Sequence, residues 1–244
     1  MTTNPMIAIA RAATALIAVG LPGIAAAQAY SCSVPGAIDR VRPDLPSERE
    51  PARTMPIAHY TLALTWAPQY CRDNGDRPSA RFQCGAGNRF GFTLHGLWPD
   101  GAGKTWPQYC RATAIVPQAV IKRQLCTTPS AQLIQHEWAK HGTCMPGYRP
   151  ARYFRQSSSL YAKLRYPDMD ALSRAPLTAG RFAAAMAQAN PGLGADMLRV
   201  TTTKQGWLDE LWICLDTRFR YARCPVQSGG VTAGTPITIW RGGR

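Results

Sequence analysis

The chain has 244 residues, 45% of them hydrophobic and 17% charged, and a formal net charge of +14. That length suits one domain plus processing segments, and the composition is that of a globular core, not of a disordered chain. The positive balance favours polyanions through phosphate contacts and counterion release; a solubility feature or a weak affinity for a cell envelope would look the same.

Residues 7–27 are mostly Ala, Ile, Leu, Val and Gly, and Arg11 is the only charge in residues 1–29. Pro22-Gly23 breaks the apolar run and Ala25-Ala26-Ala27 follows it. Residues 1–28 are therefore expected to be a signal peptide cleaved near positions 27–29. A retained membrane anchor is the rival reading, and the helix break and small residues count against it. Export to the periplasm or the medium is the expectation, with no membrane attachment after removal of the signal.

Residues 29–56, five prolines among them, form an N-terminal arm or loop tied down through Cys32. Residues 57–244 are expected to be the catalytic domain. Tyr60, Leu62, Leu64 and Trp66 alternate with smaller residues, so His59–Trp66 is predicted as a strand. Residues 72–89 are predicted as a loop, and Arg89–His95 as a second strand ending in a Gly-Leu-Trp-Pro turn. A helix is expected over residues 129–141, capped by Thr128, with Pro129 in its first turn and Gly142 as a left-handed stop. Further helices are expected over 151–165 and 178–189, and strands over 206–216, 219–222 and 236–240. Strands and helices do not alternate regularly. The fold class is α+β: a central, mostly antiparallel sheet with flanking helices in one disulfide-stabilised domain.

The eight cysteines are Cys32, Cys71, Cys84, Cys110, Cys126, Cys144, Cys214 and Cys224. An even number in an exported chain argues for disulfides. A zinc site would more often carry a C-x-x-C pair, and none is present.

Three of the four histidines lie in two short segments, Phe92-Thr-Leu-His95-Gly-Leu-Trp-Pro99 and His136-Glu-Trp-Ala-Lys-His141-Gly-Thr-Cys144. On a helix turning about 100° per residue, with His136 at zero, Lys140 lies near ~40°, Glu137 near ~100° and His141 near ~140°. Trp138 and Ala139 fall outside that arc and can face the core. A zinc-protease helix needs H-E-x-x-H with both histidines on one face. Here the spacing is H-E-x-x-x-H, which sets the histidines ~140° apart, and a lysine lies between them. No metal and no other cofactor is expected.

Two histidines, a carboxylate and a lysine suit RNA cleavage. The ribose 2′-OH is a nucleophile already in place beside its phosphorus. The enzyme must take one proton, give another and stabilise added negative charge, and histidine suits both proton transfers. Lys140 supplies positive charge to phosphate oxygens. DNA lacks the 2′-OH and would not be cleaved.

Both segments resemble the two active-site segments of the ribonuclease T2 family. The likeness extends more loosely from Thr65-Trp66-Ala67-Pro68 to Ile213-Cys214-Leu215-Asp216, and does not reach residues 1–56 or the last 20. It implies a central antiparallel sheet with flanking helices. It also implies an endoribonuclease acting on single-stranded RNA, through a 2′,3′-cyclic phosphate to 3′-phosphate ends. By the same resemblance His141 would be the general base and His95 the general acid. Glu137 and Lys140 would stabilise the phosphorane, and His136 would hold phosphate. Trp98 and Asp100 match positions that help form a base site in fungal members; core packing for Trp98 and a turn cap for Asp100 are the alternatives. The resemblance pairs Cys110 with Cys144. Cys214–Cys224 would close a hairpin-like excursion and Cys71–Cys84 a local loop, leaving Cys32–Cys126. Trp66, Tyr70, Trp106 and Tyr109 are expected in the core, and His59 as a structural histidine. The helix C-terminus and Glu137 are expected to favour a cationic His141. RNA is the expected partner and a monomer the expected state.

Overall fold

The computed structural model describes Met1 and residues 29–242; the signal peptide expected over residues 1–28 lies almost wholly outside them. In chain order the elements begin with strands β1 (Ala29–Ser31) and β2 (His59–Trp66), and helices α1 (Ala67–Asn74) and α2 (Arg81–Cys84). Strands β3 (Arg89–Phe90) and β4 (Phe92–Asp100) follow, then helices α3 (Gln118–Gln124), α4 (Ala131–Lys140), α5 (Pro150–Ala162) and α6 (Met169–Leu172). The chain continues through β5 (Leu177–Thr178), α7 (Ala179–Ala189), β6 (Leu198–Thr202), β7 (Leu208–Leu215) and β8 (Pro236–Ile237).

The central sheet runs β4-β2-β7-β6, every pair antiparallel. On one face Leu62, Leu64, Leu94, Leu97, Leu211 and Ile213 pack with Tyr153, Phe154 and Tyr161 of α5 and Phe182 and Met186 of α7 into the core. Two buried tyrosines pin α5 to β4: the Tyr161 hydroxyl donates to the Phe92 carbonyl at 2.7 Å, and that of Tyr153 to Leu97 at 3.0 Å. The other face carries Thr61, Thr65, His95, Trp98, Asp100, Glu210 and Trp212, and it builds the site. Because β2 is paired on both edges and covered on both faces, even its threonine at position 61 is buried.

Several sequence expectations change. The Gly-Leu-Trp-Pro run is not a turn; β4 continues through it to Asp100. The 72–89 stretch holds the end of α1, a 3-10 turn at Pro78–Ala80 and α2. Helix α4 is capped by Ser130, whose side chain accepts from the Leu133 N–H, while Thr128 is spent on β4, its hydroxyl donating to the Leu94 carbonyl. Gly142 is not left-handed: it opens a 3-10 turn, Gly142–Cys144, and a Cβ there would come within 2.4 Å of the Trp138 ring. Residues 219–222 form no strand, only an isolated bridge from Leu215 to Tyr221. The Asp216 carboxylate gathers the N–H groups of Arg218 and Arg220 and turns the chain there. Helix α3 and the short strand β6 lie outside the elements expected from the sequence. All four expected disulfides are formed: Cys32–Cys126, Cys71–Cys84, Cys110–Cys144 and Cys214–Cys224. Among the described residues, no helix is long and apolar enough to cross a membrane.

Candidate active site

A bulge places His95. Along β4, Leu94 pairs with Leu64 but Gly96 pairs with Ala63, so one extra residue is accommodated at His95. His95 and Trp98 are three apart and would face opposite sides of a regular strand. The extra residue restores the phase, and both reach the site face. The residue after the bulge must be glycine: a Cβ at Gly96 would lie 1.7 Å from Glu137 Oε2.

Helix α4 crosses this face. His136, Glu137, Lys140 and His141 all line one cavity of about 540 Å³ together with His95 and Trp98. Trp138 and Ala139 are buried away from it, as the helical projection requires. The Cys110–Cys144 disulfide and the Thr143 hydroxyl, which donates to Ala139 at 2.8 Å, fasten the chain just beyond the helix.

Trp98 ties the groups together. Its Nε1 donates to Glu137 Oε2 at 3.0 Å, its face stacks on His141 with centroids 5.5 Å apart, and its rim meets His95 at 5.1 Å. Glu137 is fully buried; its Oε1 has no hydrogen-bond partner and stands 3.5 Å from His95 Nε2. His141 Nδ1 is also buried without a partner. Native proteins rarely leave such atoms unpaired outside functional sites.

Sequence reasoning missed Glu210. Its Oε1 lies 2.5 Å from His95 Nδ1, Thr65 donates to the same oxygen, and Trp212 Nε1 donates to Oε2 at 2.8 Å. A lone glutamate in a strand carries no local signal; only the β2–β7 pairing brings it beside His95. Burial disfavours the charged His95 ring, but the Glu210 hydrogen bond and the charges of Glu137 and Glu210 outweigh it, pushing its pKa up to about 9. For Glu210 burial is likewise outweighed by the His95 hydrogen bond, and its pKa is lowered. Burial raises Glu137, partly offset by His95 and His136. His141 moves the opposite way to His95: burial, then the charges of Lys140, His136 and His95, hold it well below 6.5. The helix terminus does not make it cationic, because the ring is enclosed and faces three cations or potential cations.

The N-terminal arm also reaches two of the residues that line the cavity. Asp44 Oδ2 lies 2.7 Å from His136 Nδ1, and Glu50 Oε1 lies 2.5 Å from Lys140 Nζ. Asp100 and His59 line the cavity too, 3.7 Å apart, with Thr61 donating to Asp100 at 2.7 Å. Burial raises the Asp100 pKa against the pull of Thr61 and His59. His59 thus belongs to the pocket wall. So does Trp106, which is exposed and covered by Arg53 instead of lying in the core. Trp66 is buried as expected, and Tyr109 is buried with its hydroxyl on Asp44.

His136, Glu137 and His141 each offer a ligand atom, and these atoms lie within 4.8 Å of one another. The helical projection that separated the two histidines fails here because α4 ends at Lys140. His141 follows with φ −107° and ψ −50°, outside the regular helix. The trio could therefore hold a cation, so the spacing alone does not argue against one.

Residues 57–224 match the Ribonuclease T2 family. The chain is 32% identical over 181 residues to a probable ribonuclease of Haemophilus influenzae, covering 69% of this chain and 61% of that protein. It is 32% identical over 164 residues to a ribonuclease of Aeromonas hydrophila, covering 65% and 71% respectively. The chain thus spans 61% of the length of the Haemophilus relative. In fold it is similar to trichomaglin, an S-like ribonuclease, with a TM-score of 0.60 at 21% identity over 75% of this chain and 97% of that one. With a family match across most of its length, the chain belongs to the ribonuclease T2 family.

Proposed function

We propose that this chain is an endoribonuclease that cleaves single-stranded RNA by transphosphorylation, without a metal. The observation that carries this reading is two histidines lining one cavity in opposite settings, His95 with Nδ1 on the Glu210 carboxylate and His141 enclosed against Trp98 and His136. His141 is lowered and so neutral, ready to take the 2′-OH proton; His95 is raised and so protonated, ready to give a proton to the leaving 5′-oxygen. Attack of the 2′-oxygen on phosphorus breaks the P–O5′ bond and leaves a 2′,3′-cyclic phosphate and a 5′-hydroxyl. Water then opens the ring to a 3′-phosphate, with the two histidines exchanging roles.

Lys140 offsets charge on the phosphorane, and His136 holds a phosphate oxygen. Glu137, buried 3.5 Å from His95 Nε2 and lining the same cavity, supports the protonated state of His95 beside the place where the phosphorane would form. Trp98 has its indole N–H committed to Glu137 and one face to His141, which supports a role in building the catalytic group. Asp100, with Trp106 and Trp212, borders the rest of the cavity and suits an unstacked base. Four disulfides support a periplasmic or secreted location, and we take the chain to act as a monomer.

The test is digestion of RNA and of DNA in EDTA, with product ends analysed, for the wild type and for His95→Ala and His141→Ala. RNA alone should be cut, leaving cyclic phosphate ends, and each variant should lose about 10²–10⁴-fold in rate. Cleavage abolished by EDTA, or wild-type rates in either variant, would overturn the reading.

A further inference from the structure

The arm lies along one face of α4 in register with it. Gln132, His136 and Lys140 stand four residues apart and form a single row on the helix. Each meets the arm. The Gln132 amide bonds both ways to the Arg42 backbone, accepting from its N–H at 3.0 Å and donating to its carbonyl at 3.1 Å. Asp44 reaches His136 and Glu50 reaches Lys140. This segment precedes residue 57, where the family match begins.

Asp44 is held on both sides. Its Oδ2 takes His136 Nδ1, and its Oδ1 accepts from the Tyr109 hydroxyl at 2.8 Å. Tyr109 has a left-handed backbone, φ +48°, and its N–H donates to the Lys140 carbonyl at 2.8 Å. Such a conformation is uncommon for a bulky residue and gathers at functional sites. Upstream, Val41 is buried in the core and Cys32 is bonded to Cys126. Downstream, Arg53 and Gln108 exchange two backbone hydrogen bonds, and Gln108 Nε2 donates to the Pro51 carbonyl at 2.7 Å. The arm is thus anchored before and after the residue that touches the site.

We propose that Asp44 is a positioning residue of the catalytic pocket, holding the His136 ring through Nδ1–H so that its Nε2 faces the phosphate and, when RNA binds, the doubly protonated ring donates Nε2–H to a phosphate oxygen. A carboxylate can only accept, so a hydrogen bond to it places the hydrogen on Nδ1 and fixes both tautomer and ring orientation. A segment outside the family match thereby sets how one phosphate-holding group meets RNA. This inference rests on the ribonuclease reading of the pocket.

The experiment compares wild type, Asp44→Ala, Asp44→Asn and Tyr109→Phe. It measures steady-state kinetics on a dinucleoside monophosphate, thermal melting, and ¹⁵N NMR of the His136 ring. Asp44→Ala is expected to raise KM about ten-fold with kcat within about two-fold of wild type, since holding substrate and not proton transfer is impaired. Asp44→Asn, which keeps an accepting oxygen, should restore KM to within about two-fold. The NMR signature should show Nδ1–H in wild type and Asp44→Asn, and a tautomer mixture in Asp44→Ala. An unchanged KM in Asp44→Ala, or a wild-type His136 with no hydrogen on Nδ1, would overturn the proposal. So would equal loss of kcat in both Asp44 variants in step with a lowered melting temperature, which marks a merely structural role. If Asp44→Ala does not fold, Tyr109→Phe, which frees one side of Asp44, must raise KM on its own; an unchanged value there counts against the proposal. A wild type that cuts no RNA but keeps the Nδ1–H signature would instead defeat the ribonuclease reading and leave the positioning contact standing.

Discussion

Glu210 Oε1 and His95 Nδ1 lie 2.5 Å apart, joining β7 to β4 across the intervening strand β2. The carboxylate is fully occupied, by Thr65 and Trp212 as well as His95, so it cannot turn away. Its two effects are to orient the ring toward the cavity and to stabilise the imidazolium, the arrangement a general acid needs.

Glu210→Gln is therefore expected to lower kcat by about 10- to 100-fold, a part of the about 10²–10⁴-fold that a positioned general acid supplies. The same change should move the alkaline limb of the pH–rate profile to lower pH, because the negative charge that raises His95 is gone. An unshifted limb would show that Glu210 does not control this proton.

For the wild type, kcat/KM for cyclisation should be bell-shaped. His95 must be protonated, and its raised pKa keeps it so until pH rises through about 9. His141 must be neutral, and its lowered pKa keeps it so until pH falls well below 6.5. The profile should thus be broad, with an acid limb below the usual histidine range. A profile with a single limb would contradict the two-histidine scheme.

Gly96→Ala is expected to abolish most activity while leaving the disulfide pattern intact. The new methyl would lie 1.7 Å from Glu137 Oε2 and 2.8 Å from Trp98 Nε1. Glu137 is enclosed and has nowhere to move, so the loss should exceed about 100-fold in rate, with a stability cost of about 1–3 kcal/mol. Activity assay and thermal melting check both, and near-wild-type turnover would show that Glu137 need not sit where it does.

Glu50→Gln should raise kcat/KM for RNA by about two- to five-fold at low salt. Glu50 is partly exposed and occupies the ammonium of Lys140, which an RNA phosphate must otherwise share. The advantage should fade as salt is added, since the competing ion pair is then screened. A decrease in kcat/KM would instead mean that Glu50 helps to aim Lys140.

The two histidine segments, the four disulfide pairs and the α+β class were legible in the sequence. A motif is contiguous and a helix projects its residues at a known angle, whereas an even set of cysteines says only that they pair, and the pairing scheme was built from what the family resemblance implies. Thus the sequence by itself gathers His136, Glu137, Lys140 and His141 and assigns Trp138 and Ala139 to the core. What the tertiary structure decided was everything that depends on register and on partners distant in sequence. The bulge that turns His95 and Trp98 to one face is a property of the β2–β4 pairing, and the Gly-Pro composition of that segment mimicked a turn. Glu210 stands 115 residues from His95, and Asp44 stands 92 from His136, so no local pattern could join them. The proposed division of labour between His95 and His141 has the same dependence. The sequence supplied two imidazoles whose roles only the family resemblance told apart. Burial of one among positive charges, and contact of the other with a fixed carboxylate, drive their pKa values apart, and only the folded chain creates those environments.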